Sequence, residues 1–192
     1  MIARRWTTVL VFVLLAVYGL ELATHSVGND SALLKLGALP DDGKLHGQYW
    51  RFVTYSFLHF NLAHLLVNTA LIFWIGGLLE KRVGVPVAAA IYFCSVLCSG
   101  ISILLVHSWH PKIGATVGAS GGMFGLASAA IIIFYRDPEL IGQESRVRSW
   151  LWLVILIGLT VSLLPGISLA GHIGGLAGGV AAAVSAKVRK NA

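Results

Sequence analysis

Residues 116–135 read TVGASGGMFGLASAAIIIFY, twenty positions without a charged side chain. At 1.5 Å per helical residue such a run covers the ~30 Å of a bilayer's hydrocarbon core. The stretch therefore predicts a membrane-spanning helix, with Ser120 near its N-terminal end among Gly118, Gly121, Gly122 and Gly125. Working outward, comparable apolar runs lie near 7–24, 58–79, 86–106, 148–165 and 168–187. The expected fold class is an all-α membrane protein, a bundle of six transmembrane helices. Residues 1–192 would form a single membrane domain with one long connection, 25–57.

Composition agrees. Of the 192 residues 57% are hydrophobic and 11% charged, against about a quarter charged in soluble domains. Mean hydropathy is +0.82. A water-soluble globule is excluded, and the net charge of +6 does not read as a nucleic-acid surface, because the basic residues cluster between apolar runs. Arg4, Arg5, Lys81, Arg82, Arg136, Arg146, Arg148, Lys187, Arg189 and Lys190 fall on one side, and Lys35, Lys44, Arg51 and Lys112 on the other. The positive-inside rule then puts both termini in the cytoplasm and segment 25–57 outside. That segment mixes Leu33, Leu34, Leu36, Leu39, Tyr49 and Trp50 with few charges, and predicts an amphipathic loop lying against the membrane. The N-terminal run lacks an A-x-A cleavage site and reads as a retained helix. Cys94 and Cys98, one turn apart within an apolar run, read as packing residues.

Polar residues gather at one level. The second, fourth and sixth spans all run from outside to inside, bringing His59, His64 and Asn68, then Ser120, then His172 to the outer part of the bundle. His64, Ser120 and His172 would lie only ~5–10 Å below their helix starts. Imidazoles within a span are costly unless they face the bundle interior or water, which makes them functional candidates. Small-xxx-small spacing recurs beside them, at Gly118 with Gly122, Gly121 with Gly125, and Gly171 with Gly175 and Gly179. Such ribbons let two backbones approach closely enough for a serine on one helix to bond an imidazole on another.

A serine hydroxyl becomes a useful nucleophile when a base takes its proton, and histidine is the usual base. Ser120 and His172 fit those roles. None of the acidic residues lies near the pair in helix four or six, so the expectation is a dyad. The Ser120 amide at a helix N-terminus, His64 and the Asn68 side chain are candidate donors to an oxyanion. Two other readings use the same residues: polar groups that only bond helices together, and a metal site at His59, His64 and His172. The second lacks a carboxylate or cysteine ligand and leaves Ser120 unexplained.

Gly118-Ala119-Ser120-Gly121, His172 with Gly175 and Gly179, and His64 with Asn68 resemble the G-x-S-G, H-x-x-G-x-x-x-G and H-x-x-x-N motifs of rhomboid intramembrane proteases. Tyr49-Trp50-Arg51 resembles that family's Trp-Arg element, and Gly76, Glu80 and Gly84 its G-x-x-x-E-x-x-x-G. The resemblance covers roughly 49–180. It implies a rhomboid-like bundle with Ser120 as nucleophile, His172 as base, His64 and Asn68 at the oxyanion, and His59, Gly118, Gly121 and Phe124 in support. Phe124 stands where some members carry a tyrosine packed on the catalytic imidazole, and Gly122 where many have a larger residue. The implied partners are the lipid bilayer and single-span membrane proteins, cut near the outer face, with no metal, cofactor or nucleic acid. Compactness fits a bacterial inner membrane. A catalytically inactive rhomboid-like protein that binds or escorts membrane clients is the alternative, and a proton-conducting histidine pathway a further one. Glu80 and Arg82 read as structural anchors at the inner interface.

Overall fold

The computed structural model describes residues 5–136 and 145–186. Among the charges expected on the inner side, Arg4, Lys187, Arg189 and Lys190 lie outside the described residues. The long helices are α1 (Arg5–Ala23), α4 (Leu62–Val83), α5 (Val85–Trp109), α6 (Ser120–Arg136), α7 (Ser145–Val161) and α8 (Leu169–Ser185). The connection after α1 carries two short helices, α2 (Asp30–Leu36) and α3 (Arg51–Thr54), and a 3-10 turn at Tyr55–Phe57. A two-residue strand β1 (Leu39–Pro40) pairs antiparallel with β2 (Ala115–Thr116).

Trp6–Ala23, Leu62–Val83 and Val85–Trp109 are long and apolar enough to cross a membrane, and Ser120–Arg136 and Leu169–Ser185 are shorter apolar helices. Around them Phe12, Leu66, Val67, Leu105, Leu156, Ile173 and Val184 expose their side chains. So much apolar surface outside a filled core is the surface of a multi-pass integral membrane protein, solvated by lipid.

Glycine decides how the centre packs. An added Cβ at Gly175 would run into the carbonyl of Gly121, and one at Gly179 into that of Gly125. Since 121 and 125 match 175 and 179 in the same order, α6 and α8 run parallel with backbones in contact. Gly171, Gly174 and Gly178 of α8 meet Ile103, Ser102 and Ser95 of α5 in reverse order, so α5 is antiparallel to both. Cys94 and Cys98 line this α5 face, where Cys94 Sγ lies 3.7 Å from the Gly178 carbonyl. Ser128 then donates to the Leu176 carbonyl across α6 and α8 at 2.9 Å.

At the other end of the bundle the Glu80 carboxylate, 2% exposed, accepts the Thr7 backbone N–H at 2.5 Å and the Thr7 hydroxyl. An acid at the first turn of α1 also meets the positive end of that helix. Glu80 is therefore the structural anchor expected of it, joining α4 to α1.

The predicted outer loop is folded. Arg51 Nη1 donates to the Leu34 and Ala38 carbonyls at 2.8 and 2.5 Å, and its Nε to Gln48 Oε1 at 2.6 Å. Leu33, Ala38 and Leu58 form a small separate core, while Tyr49 and Trp50 stay exposed. Asp41 accepts the Thr116 hydroxyl at 2.7 Å, and Tyr55 accepts the Gly118 N–H at 3.0 Å. The loop thereby fixes the extended segment that enters α6.

Two helices start four residues later than the sequence reading put them. The fourth span, expected from 116, begins as helix at Ser120 because Ala115 and Thr116 pair with β1 and Gly118 adopts φ +130°. The second, expected from 58, begins at Leu62, where Asn61 caps the helix by accepting the His64 N–H at 2.8 Å. An asparagine N-cap takes non-helical backbone angles, so His59 sits in the turn before α4 and not on it.

Candidate active site

Three N-terminal helix turns meet at one point. Asn61 sets His64 in the first turn of α4, Ser120 is the first residue of α6, and Ser168 caps α8 by accepting the Gly171 N–H at 3.1 Å. His172 follows in the same turn, its N–H bonded to the Ser168 carbonyl at 3.2 Å. The residues that sequence spacing put at a common depth therefore share it because each is counted from a nearby helix start.

Ser120 Oγ lies 2.8 Å from His172 Nε2. The imidazole is 8% exposed, and the Phe124 ring stacks on it at a centroid distance of 4.3 Å and 27° between planes. The ring contact expected of Phe124 is present. Its tip reaches α7 at Gly158, where an added Cβ would overlap Phe124 Cζ. In front of Gly122, the space a larger residue would need is filled by the buried ring of Tyr92.

His64 packs against Gly118, where a Cβ would come within 2.5 Å of its Cε1. Glycine at 118 is thus required twice, for the positive φ and for the imidazole beside it. Asn68, one turn further along α4, is 2% exposed, and its Nδ2 has no hydrogen-bond partner among the described residues. A buried amide donor without a partner costs ~1–3 kcal/mol, a cost that function explains more readily than stability. The first-turn amides of α6, Ser120 included, have no acceptor within their own helix. His64 thus stands beside Gly118 at the entrance of α6, and Asn68 follows one turn further along α4.

His59 is fully buried, its ring edge-on to His64 at 5.1 Å between centroids. Its backbone N–H is held at 2.8 Å by the Glu21 carboxylate, itself wholly buried at the end of α1. Glu21 belongs to the support of this site, and the sequence reading passed over it because it lies far from the motifs along the chain. Ser162 was missed likewise. It stands just after α7, 4% exposed, with Oγ 2.5 Å from His172 Nδ1. A lone serine in an apolar stretch carries no motif or period to mark it.

The sequence profile of the rhomboid domain matches residues 46–187. Among relatives, the RHOMBOID-like protein 5 of Arabidopsis thaliana is 31% identical over 147 residues, 77% of this chain and 47% of that protein. The rhomboid protease GlpG of Klebsiella pneumoniae is 29% identical over 189 residues, 94% of this chain and 63% of that protein. The rhomboid protease GluP of Bacillus subtilis is 28% identical over 157 residues, 82% of this chain and 30% of that protein. The chain spans about half the length of the first of these relatives.

Proposed function

This chain belongs to the rhomboid family, and we propose that it is an intramembrane serine endopeptidase that cuts single-span membrane proteins near the outer face of a bacterial inner membrane. The observation that carries the reading is the 2.8 Å contact between Ser120 Oγ and His172 Nε2. It joins the first turns of two parallel helices.

In the proposed reaction Ser120 Oγ attacks the scissile carbonyl carbon while His172 Nε2 takes the hydroxyl proton. The carbonyl oxygen becomes an oxyanion, and the Ser120 amide, His64 and Asn68 donate to it. Collapse of the tetrahedral intermediate breaks the C–N bond, and His172 returns the proton to the leaving amine. Water, deprotonated by the same imidazole, then attacks the acyl carbon, and as the C–Oγ bond breaks His172 returns that proton to Ser120 Oγ. A substrate helix hides its carbonyls in its own hydrogen bonds, so the segment has to unwind before attack. Segment 25–57 would lie outside and both termini in the cytoplasm, as the basic residues indicate.

The test is cleavage of a model single-span substrate by the purified full chain in liposomes, with labelling by a serine-directed fluorophosphonate. Both are expected in the parent and absent from Ser120→Ala and His172→Ala. A folded parent that neither cuts a substrate panel nor takes up the probe would instead indicate an inactive family member that binds or escorts clients.

A further inference from the structure

We propose that Ser162 is a positioning residue for His172, holding the imidazole in the Nδ1–H tautomer and so leaving Nε2 free to accept the Ser120 proton. The proposal rests on the protease reading for its kinetic consequence, but the tautomer itself is a property of the resting protein.

Hydrogen bookkeeping at Ser162 carries the argument. Its Oγ lies 2.6 Å from the Gly158 carbonyl oxygen and 2.5 Å from His172 Nδ1. A carbonyl has no proton to give, so the only hydrogen available to the first contact is that of the Ser162 hydroxyl. Turning it toward His172 would leave two oxygen lone pairs facing each other at 2.6 Å. The hydroxyl therefore donates to Gly158, and what Ser162 presents to Nδ1 is an acceptor. Nδ1 must then carry the hydrogen. A neutral imidazole has one N–H, which leaves Nε2 as the acceptor 2.8 Å from Ser120 Oγ. The hydrogen bonds run in one direction, from Ser120 to His172, to Ser162, to the Gly158 carbonyl.

This is the orienting role that an acid fills in a Ser-His-Asp triad, supplied by a neutral hydroxyl. Serine takes no proton in the reaction. It fixes the ring edge, and its oxygen faces the imidazolium that forms when Nε2 is protonated. Phe124 holds the face of the same ring and seats its tip at Gly158. Both supports of His172 thus converge on the turn Gly158–Ser162 that closes α7, while His172 itself rides on α8.

The tautomer can be read directly. In the full chain labelled with 15N-histidine in detergent micelles, two-bond 1H–15N correlations distinguish a protonated ring nitrogen from a bare one. His172 is identified by the signals missing from His172→Ala. The parent is expected to show protonated Nδ1 and bare Nε2, and Ser162→Ala to populate the Nε2–H form. With it, kcat for a model single-span substrate falls roughly 10–100-fold, with KM changed less than about twofold, short of the ~10⁴-fold loss known for a fully wrong tautomer. A parent with protonated Nε2 overturns the proposal, as does Ser162→Ala with unchanged tautomer and kcat. If the parent shows the Nδ1–H form yet neither cuts nor labels, the positioning stands and the protease reading fails.

Discussion

Gly175 of α8 lies against the backbone of Gly121 in α6 so closely that a Cβ on Gly175 would come within 2.9 Å of the Gly121 Cα. The obstruction is backbone, which cannot turn aside as a side chain can. This contact brings α8 near enough for His172, three residues earlier, to reach Ser120.

Gly175→Ala should therefore force α6 and α8 apart. Overpacking of this kind costs about 1–3 kcal/mol, read as a lower midpoint in thermal or denaturant unfolding in detergent. Cleavage should fall further than stability does, because widening lengthens the Ser120–His172 contact. A variant with parent stability and parent kcat would show that the helices have room the glycines do not need.

Phe124→Ala removes the ring stacked on His172 and leaves a buried cavity, for a stability loss of ~3–5 kcal/mol and a lower kcat. Phe124→Tyr is the more informative change. Its added hydroxyl projects at Gly158, where even a Cβ would overlap the ring, so restoring the tyrosine some rhomboids carry is expected to destabilise this one. Thermal unfolding of the two variants side by side gives the comparison.

Asn68→Ala deletes a buried amide whose Nδ2 has no partner among the described residues. Removing an oxyanion donor typically lowers kcat ~10²–10³-fold. The loss should appear in kcat with KM little changed, and folding should be unimpaired, since no bond from Nδ2 to a described residue is lost. An unaffected kcat would exclude Asn68 from the oxyanion site.

Glu80→Ala breaks the bonds that carry α1 on α4, leaving the Thr7 N–H and hydroxyl without their acceptor. The expected cost is about 1.5–3 kcal/mol per bond to the carboxylate at most, seen as a lower unfolding midpoint. Because Glu80 sits near the end of α4 remote from His64, kcat per folded molecule should hold. A selective loss of kcat would show coupling between the two ends.

Much of this was legible in the linear sequence because the signals are local. Apolar runs mark helices that lipid alone can solvate, and Gly121 with Gly125, or Gly171 with Gly175 and Gly179, mark faces where backbones touch. A serine and a histidine beside such faces already suggest a pair. What the sequence could not supply was anything depending on a partner distant along the chain. Ser162 reads as one more small residue until α7 and α8 fold back and put its hydroxyl on His172. Glu21 reads as an acid at a helix end until it closes on the His59 backbone. The start of α6 at Ser120, four residues later than hydropathy suggests, follows from Thr116 pairing with Leu39 of the long connection after α1. Hydropathy and spacing are sums over neighbours in sequence, and they determined the membrane bundle and the Ser120–His172 pair. The direction of a hydrogen bond and the capping of a helix depend on atoms brought together only by folding, so the tertiary structure alone decided how His172 is held.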